Sequence, residues 1–173
     1  MMQRVATLYR SSVGKKILMA ISGIVLFGFI VLHMVGNLKV LLGPEEIDAY
    51  ARFLREVGYP AVPNQTALWT VRIVLLIAVF VHMNAAFQTW AQSKNARGVG
   101  YRKNDDLSFS YASRTMRWGG VIILLFLIYH ILHFTTGTLH PDFVEGGVYH
   151  NFVAAFQAPL ILLVYLVAQA ALC

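Results

Sequence analysis

Long apolar runs alternate with short polar stretches along this chain. Residues 17–38, 73–93, 118–141 and 146–173 contain no Asp, Glu, Lys or Arg. Each run exceeds the ~20 residues a helix needs to cross a hydrocarbon core. The pattern predicts an all-α membrane protein, a transmembrane helical bundle in one domain covering residues 1–173, with four spans at about 17–42, 67–92, 115–138 and 152–173. The stretch between the first two spans holds an element of its own. Gly43-Pro44 followed by Glu45-Glu46 reads as a helix start, with proline in the first turn and acids at the positive end of the helix dipole. Ile47, Tyr50, Ala51, Leu54 and Val57 recur at helical spacing, and Gly58 ends the pattern. This predicts a short amphipathic helix on a membrane face.

Composition narrows the class. The 173 residues are 58% hydrophobic and 13% charged, against about 25% charged in an ordinary soluble domain. That excludes a soluble globule, a disordered tail and a disulfide scaffold. The net charge of +6 would otherwise suggest nucleic acid. In so apolar a chain it reads as topology, and no nucleic-acid partner is expected. The N-terminal segment carries Arg4, Arg10, Lys15 and Lys16; the connection 39–66 carries Lys39, Arg52 and Arg55; the connection 94–117 carries Lys94, Arg97, Arg102, Lys103, Arg114 and Arg117; the connection 140–151 carries no Lys or Arg. By the positive-inside rule the N-terminus and the 94–117 segment are cytoplasmic, and the other two connections lie outside. The single cysteine, Cys173, has no partner for an internal disulfide. The first run continues through Met34 and Leu38 without a small-x-small cleavage site, so it reads as a retained span.

Four histidines fall inside spans: His33, His82, His130 and His133. Polar side chains are costly there and usually serve function, although interhelical hydrogen bonding is the plainer role for any one of them. Depth sorts them. At the helical rise, His33 and His130 sit ~5 Å outward of the midplane, His82 ~4 Å inward and His133 ~9 Å outward. Two imidazoles at one depth on facing helices suit axial ligation of a haem iron. His130 is preferred to His133 for that pairing. The plainer expectation for His133 is a hydrogen bond to a propionate, a quinone carbonyl or the interface. His140 and His150, flanking the last connection, read as solvated or interfacial.

Small residues and arginines accompany the histidines. Ser22 lies three turns before His33 on one face, and Gly23, Gly28, Gly36, Gly119 and Gly120 permit close approach of a porphyrin or of another helix backbone. Arg72, near the start of a span, suits either snorkelling to the interface or a propionate of an outer haem. Arg114 and Arg117 suit an inner haem or simple positive-inside anchoring. Trp69, Trp90 and Trp118 fall at span ends, as interface aromatics do.

The segment Ser22-Gly23-Ile24-Val25-Leu26-Phe27-Gly28-Phe29-Ile30-Val31-Leu32-His33-Met34-Val35-Gly36-Asn37-Leu38 resembles the first span of the cytochrome b membrane-anchor subunit of succinate dehydrogenases and fumarate reductases, of the single-chain, dihaem, five-helix type. Ala49-Tyr50-Ala51-Arg52-Phe53-Leu54-Arg55, Ser113-Arg114-Thr115-Met116-Arg117-Trp118, Tyr129-His130-Ile131-Leu132-His133-Phe134 and Val148-Tyr149-His150-Asn151 extend the resemblance in order and spacing. It implies two haem b groups, ligated by one histidine on each of the first four helices, paired first with third and second with fourth. His33, His82 and His130 match three of those positions. The fourth ligand would lie beyond Cys173, and a fifth helix, absent from this sequence, would follow.

The expectation is therefore a multi-pass subunit of a bacterial-type cytoplasmic membrane that passes electrons between an iron–sulfur partner and quinone. The sequence contains no nucleophile–base pair, phosphate loop or flavin fingerprint, so dicarboxylate chemistry falls to flavoprotein and iron–sulfur subunits that the resemblance implies. The basic N-terminus and the 94–117 segment are the expected docking surface for them. A cytochrome b subunit of a hydrogenase or formate dehydrogenase, and a haem-free anchor or transporter, are the alternatives.

Overall fold

A computed structural model of the chain describes residues 11–96, 98 and 111–172. Arg4, Arg10, Arg97, Arg102, Lys103 and Cys173 lie outside the described residues, as does much of the expected docking surface. Every regular element described is helical. Helix α1 (Ser12–Asn37) continues into a 3-10 turn over Leu38–Leu42, and α2 covers Pro44–Glu56. Helix α3 covers Thr66–Asn95, and α4 (Tyr111–His130) continues into a π-turn over Ile131–Thr135. The last two are α5 (Val148–Gln157) and α6 (Pro159–Leu172).

Three stretches, Ser12–Leu42, Thr66–Asn95 and Thr115–Thr135, are long and apolar enough to cross a membrane, as expected from the first three charge-free runs. The fourth run does not make a straight span. Helices α5 and α6 meet at an angle of 91°. Proline explains the break. Ala158 is extended, at φ −83° and ψ 113°, because the ring of Pro159 crowds an α-conformation in the residue before it. Pro159 also has no N–H to continue the ladder. Among the described residues the regular structure is all helical, with three candidate spans or four if the bent pair counts as one. That is consistent with a multi-pass membrane protein.

The chain divides into two compact units, residues 1–39 with 52–102 and residues 40–51 with 103–173. In the first, α1 and α3 pack antiparallel. Met19 and Ser22 meet His82, while Ser12 and Lys16 share an open cavity of about 380 Å³ with Thr89, Gln92 and Ser93. Helix α3 presents Ala78, His82 and Ala85 at i, i+4 and i+7, and both alanines are buried. Small side chains let the two backbones approach closely, the usual basis of helix pairing in lipid. Ile24, Phe27, Leu32, Leu76 and Phe80 point away and are more than half exposed, an apolar perimeter suited to hydrocarbon.

In the second unit, α6 packs on α4 and α5, and a loop over 136–147 is tied down by Asn151. The Asn151 side chain accepts from Val144 N and donates to Val144 O, both at 2.8 Å. Helix α5 has no capping side chain of its own at Gly147. Asp48 Oδ1 supplies the cap from α2, accepting from Tyr149 N at 3.0 Å. Helix α2 runs as its proline, acids and terminal glycine predict. Gly43 and Gly58 flank it with φ of +106° and +92°, values that favour glycine.

Candidate functional site

His82 is held by the helix facing it. Its Nδ1 lies 3.1 Å from Met19 O and 3.3 Å from Ser22 Oγ. A carbonyl only accepts, so Nδ1 carries the proton and donates to Met19 O. Ser22 spends its own proton on the preceding turn, with Leu18 O at 2.7 Å, and so presents a lone pair to the same ring. The Nε2 lone pair of His82 is thereby left free, with no hydrogen-bond partner among the described residues. This is how imidazole ligands are usually prepared: a hydrogen bond to one nitrogen fixes the tautomer and aims the other. Gly23 makes the approach possible, because a Cβ there would come within 3.3 Å of His82 Cε1.

Ser22 and Gly23 therefore serve His82. Ser22, three turns before His33 on one face of α1, meets His82 across the helix pair. Gly28, Gly119 and Gly120 have open space where a Cβ would stand. His33 stacks on Phe29, with ring centroids 5.2 Å apart. It lies eleven residues beyond Ser22, so it stands ~16 Å along α1 from the level of His82. That is wider than the ~9 Å expected from span midpoints. Continued along the pair, the same register brings Arg72 to about the level of His33.

The second unit gathers a different cluster. His133 is fully buried, and its Nδ1 lies 3.2 Å from the hydroxyl of Tyr165 on α6. The same hydroxyl lies 3.4 Å from His130 Nδ1. Both histidines thus face one side, as their spacing of three predicts. His133 stacks with Tyr129 and with His140, with ring centroids at 5.5 and 4.8 Å. Its Nε2 is buried and has no partner among the described residues. The π-turn that carries it is closed by Thr136 N donating to Ile131 O at 3.0 Å. Such turns recur at functional positions.

Of the two expectations for His140, solvated or interfacial, the solvated one does not hold. The residue is buried, and both ring nitrogens are engaged. Nε2 donates to Asn151 O at 2.8 Å, and Nδ1 accepts from Asp142 N at 3.1 Å. His150 does stay near solvent, where it pairs with Asp142 at 2.9 Å.

No family model, no curated protein and no solved structure matches this chain. The site must be read from its own geometry. Among the described residues no group of three His, Cys, Asp or Glu side chains is placed to hold a metal ion.

The arginines divide. Arg72 lies over the ring of Trp69, 5.0 Å from its centroid, an arrangement worth about 0.5–1 kcal/mol at an exposed site and in keeping with an interface anchor. Arg117 is exposed in α4, and the Arg114 side chain lies outside the described set. Tyr165 and Asn151 were missed in the sequence. A tyrosine in an apolar run carries no local signal, because its partners lie more than thirty residues away; the partners of Asn151, Val144 and His140, lie in the loop just before it, whose course the sequence does not fix.

Proposed function

We propose that the chain is a haem b membrane anchor of a succinate:quinone oxidoreductase. The observation that supports it most is the free Nε2 of His82, whose proton is fixed on Nδ1 by Met19 O. The buried, unpartnered Nε2 of His133 adds a second nitrogen short of a partner. A haem brings its own ring nitrogens and asks the protein only for imidazoles. The residues fit such a group. His82 would hold one haem, its other ligand coming from outside the described residues. His33 would take part in holding a second at another level along α1, and within the second unit His130 or His133 would offer an imidazole. When bound, haem b supplies a one-electron couple within the membrane.

The chain's own contribution is placement. Met19 and Ser22 orient one imidazole, Gly23 gives it room, and the ~16 Å between levels keeps the centres distinct. Arg72 stands near the His33 level, where it offers a cation to a propionate. Electrons would enter from an iron–sulfur subunit bound to the basic segments and leave to quinone, with the dicarboxylate reaction in a flavoprotein partner.

The test is a reduced-minus-oxidised difference spectrum of membranes carrying the chain. A b-type band is expected, smaller in His82→Ala and in His33→Ala although both variants still insert. A spectrum without any b-type band overturns the reading and leaves a haem-free anchor or transporter. A b-type band in a purified complex holding nickel or molybdenum, without covalent flavin, assigns the chain to another membrane dehydrogenase.

A further inference from the structure

The hydroxyl of Tyr165 has a single proton and stands between two imidazoles, 3.2 Å from His133 Nδ1 and 3.4 Å from His130 Nδ1. It has no other hydrogen-bond partner among the described residues. For both contacts to be hydrogen bonds without stranding that proton, the oxygen must accept from one ring and donate to the other. One histidine then carries its proton on Nδ1 and the other on Nε2. Both rings are neutral, and only the position of the proton differs.

Burial decides which is which. If Tyr165 donated to His133, the His133 proton would sit on Nε2, which is buried and has nothing to receive it. A stranded ring N–H forfeits a hydrogen bond outright, and orphaned buried donors are the rarer kind in folded proteins. The opposite arrangement avoids this. His133 donates from Nδ1 to the Tyr165 oxygen, and Tyr165 donates to His130 Nδ1. Ring stacking holds His133 in place for this. Tyr129 lies nearly parallel to it at 14° and His140 at 24°. His140 cannot exchange roles with it, because both of its own nitrogens are already engaged.

We infer that Tyr165 is a positioning residue that sets the proton positions of His130 and His133 in opposition, leaving a lone pair on His133 Nε2 and a proton on His130 Nε2. One consequence, which rests on the haem reading above, is that His133 and not His130 would offer the nitrogen lone pair that holds a haem in this unit. Through Tyr165 the two cannot both present Nε2 to an iron.

The experiment is solid-state ¹⁵N NMR of the full chain in lipid bilayers, with histidine ring nitrogens labelled and the sample reduced with dithionite so that any bound low-spin haem is diamagnetic. His130→Gln and His133→Gln assign the signals. The wild-type protein is expected to show a protonated Nε2 at His130 and a protonated Nδ1 at His133. Tyr165→Phe, which removes only the hydroxyl, is expected to abolish the opposition, with at least one ring changing tautomer or becoming a mixture. A protonated Nε2 at His133, the same tautomer at both rings, or a pattern unchanged in Tyr165→Phe each overturns the inference. The wild-type spectrum alone decides if the variant does not fold. Difference spectra test the consequence separately: His133→Ala is expected to lose one b-type component that His130→Ala keeps, and the reverse overturns the choice of His133. Total absence of a b-type band defeats the haem reading, while the NMR pattern still decides the role of Tyr165.

Discussion

Replacing Gly23 and Gly28 by alanine, one at a time, tests whether α1 is shaped to receive His82. Both glycines lie within α1. Alanine is favoured over glycine in a helix interior by roughly 1 kcal/mol, a gain common to the two variants that cancels in their difference. At Gly28 a Cβ meets nothing within 4 Å. At Gly23 it lands 3.3 Å from His82 Cε1 and 3.5 Å from Nδ1, so the ring must give by a few tenths of an ångström. The bond from Nδ1 to Met19 O is already 3.1 Å long. That displacement carries it beyond the ordinary range for N–H···O and weakens an interaction worth about 0.5–1.5 kcal/mol. Overpacking adds to this, typically about 1–3 kcal/mol where nothing can yield. Gly23→Ala is therefore expected to be about 1–3 kcal/mol less stable than Gly28→Ala. Unfolding of the full-length chain in mixed micelles titrated with SDS measures the difference. Equal stability of the two variants would refute the close fit between Gly23 and His82, and with it the orientation of His82 by α1.

Two further perturbations test the second unit. Asn151→Ala strands Val144 N and O in a partly buried loop and is expected to cost about 1–3 kcal/mol; hydrogen exchange at Val144 should quicken, and unchanged protection there would show that the loop is held by other contacts. Pro159→Ala restores the missing N–H donor and is expected to open the 91° bend toward a straighter helix; spin-label distances between α5 and α6 measure it, and an unaltered distance would remove proline as the cause.

The sequence announced its spans through the absence of charge, because four runs without Asp, Glu, Lys or Arg have few places to go but lipid. It announced α2 as well, since Pro44, Glu45, Glu46 and Gly58 each act within one turn of where they stand. Pro159 was visible too, but the uninterrupted apolar run around it concealed the break: hydropathy reports solvent preference and is blind to a missing N–H. The histidines were legible as a set and not as individuals. Residues three apart on a helix face the same way, so spacing could not tell the buried His133 from the less buried His130. Spacing placed Ser22 on one face with His33, and could not show its neighbour across the helix pair, His82, sixty residues further on. Tyr165 was illegible for the same reason. Its role exists only once α6 has folded back against α4.

The cap on α5 is also a parity constraint. Asp48 and Tyr149 are 101 residues apart in the chain, and two of the three straight candidate spans, Thr66–Asn95 and Thr115–Thr135, lie between them. A hydrogen bond cannot be made across a bilayer, so the number of crossings between these residues must be even. Were either helix to lie along the surface while the other crossed, the carboxylate and the amide it caps would be on opposite sides. The start of α5 would then lose its cap. This one contact thus links the insertion of two helices, and a chain that had inserted only one of them would be marked by a frayed α5.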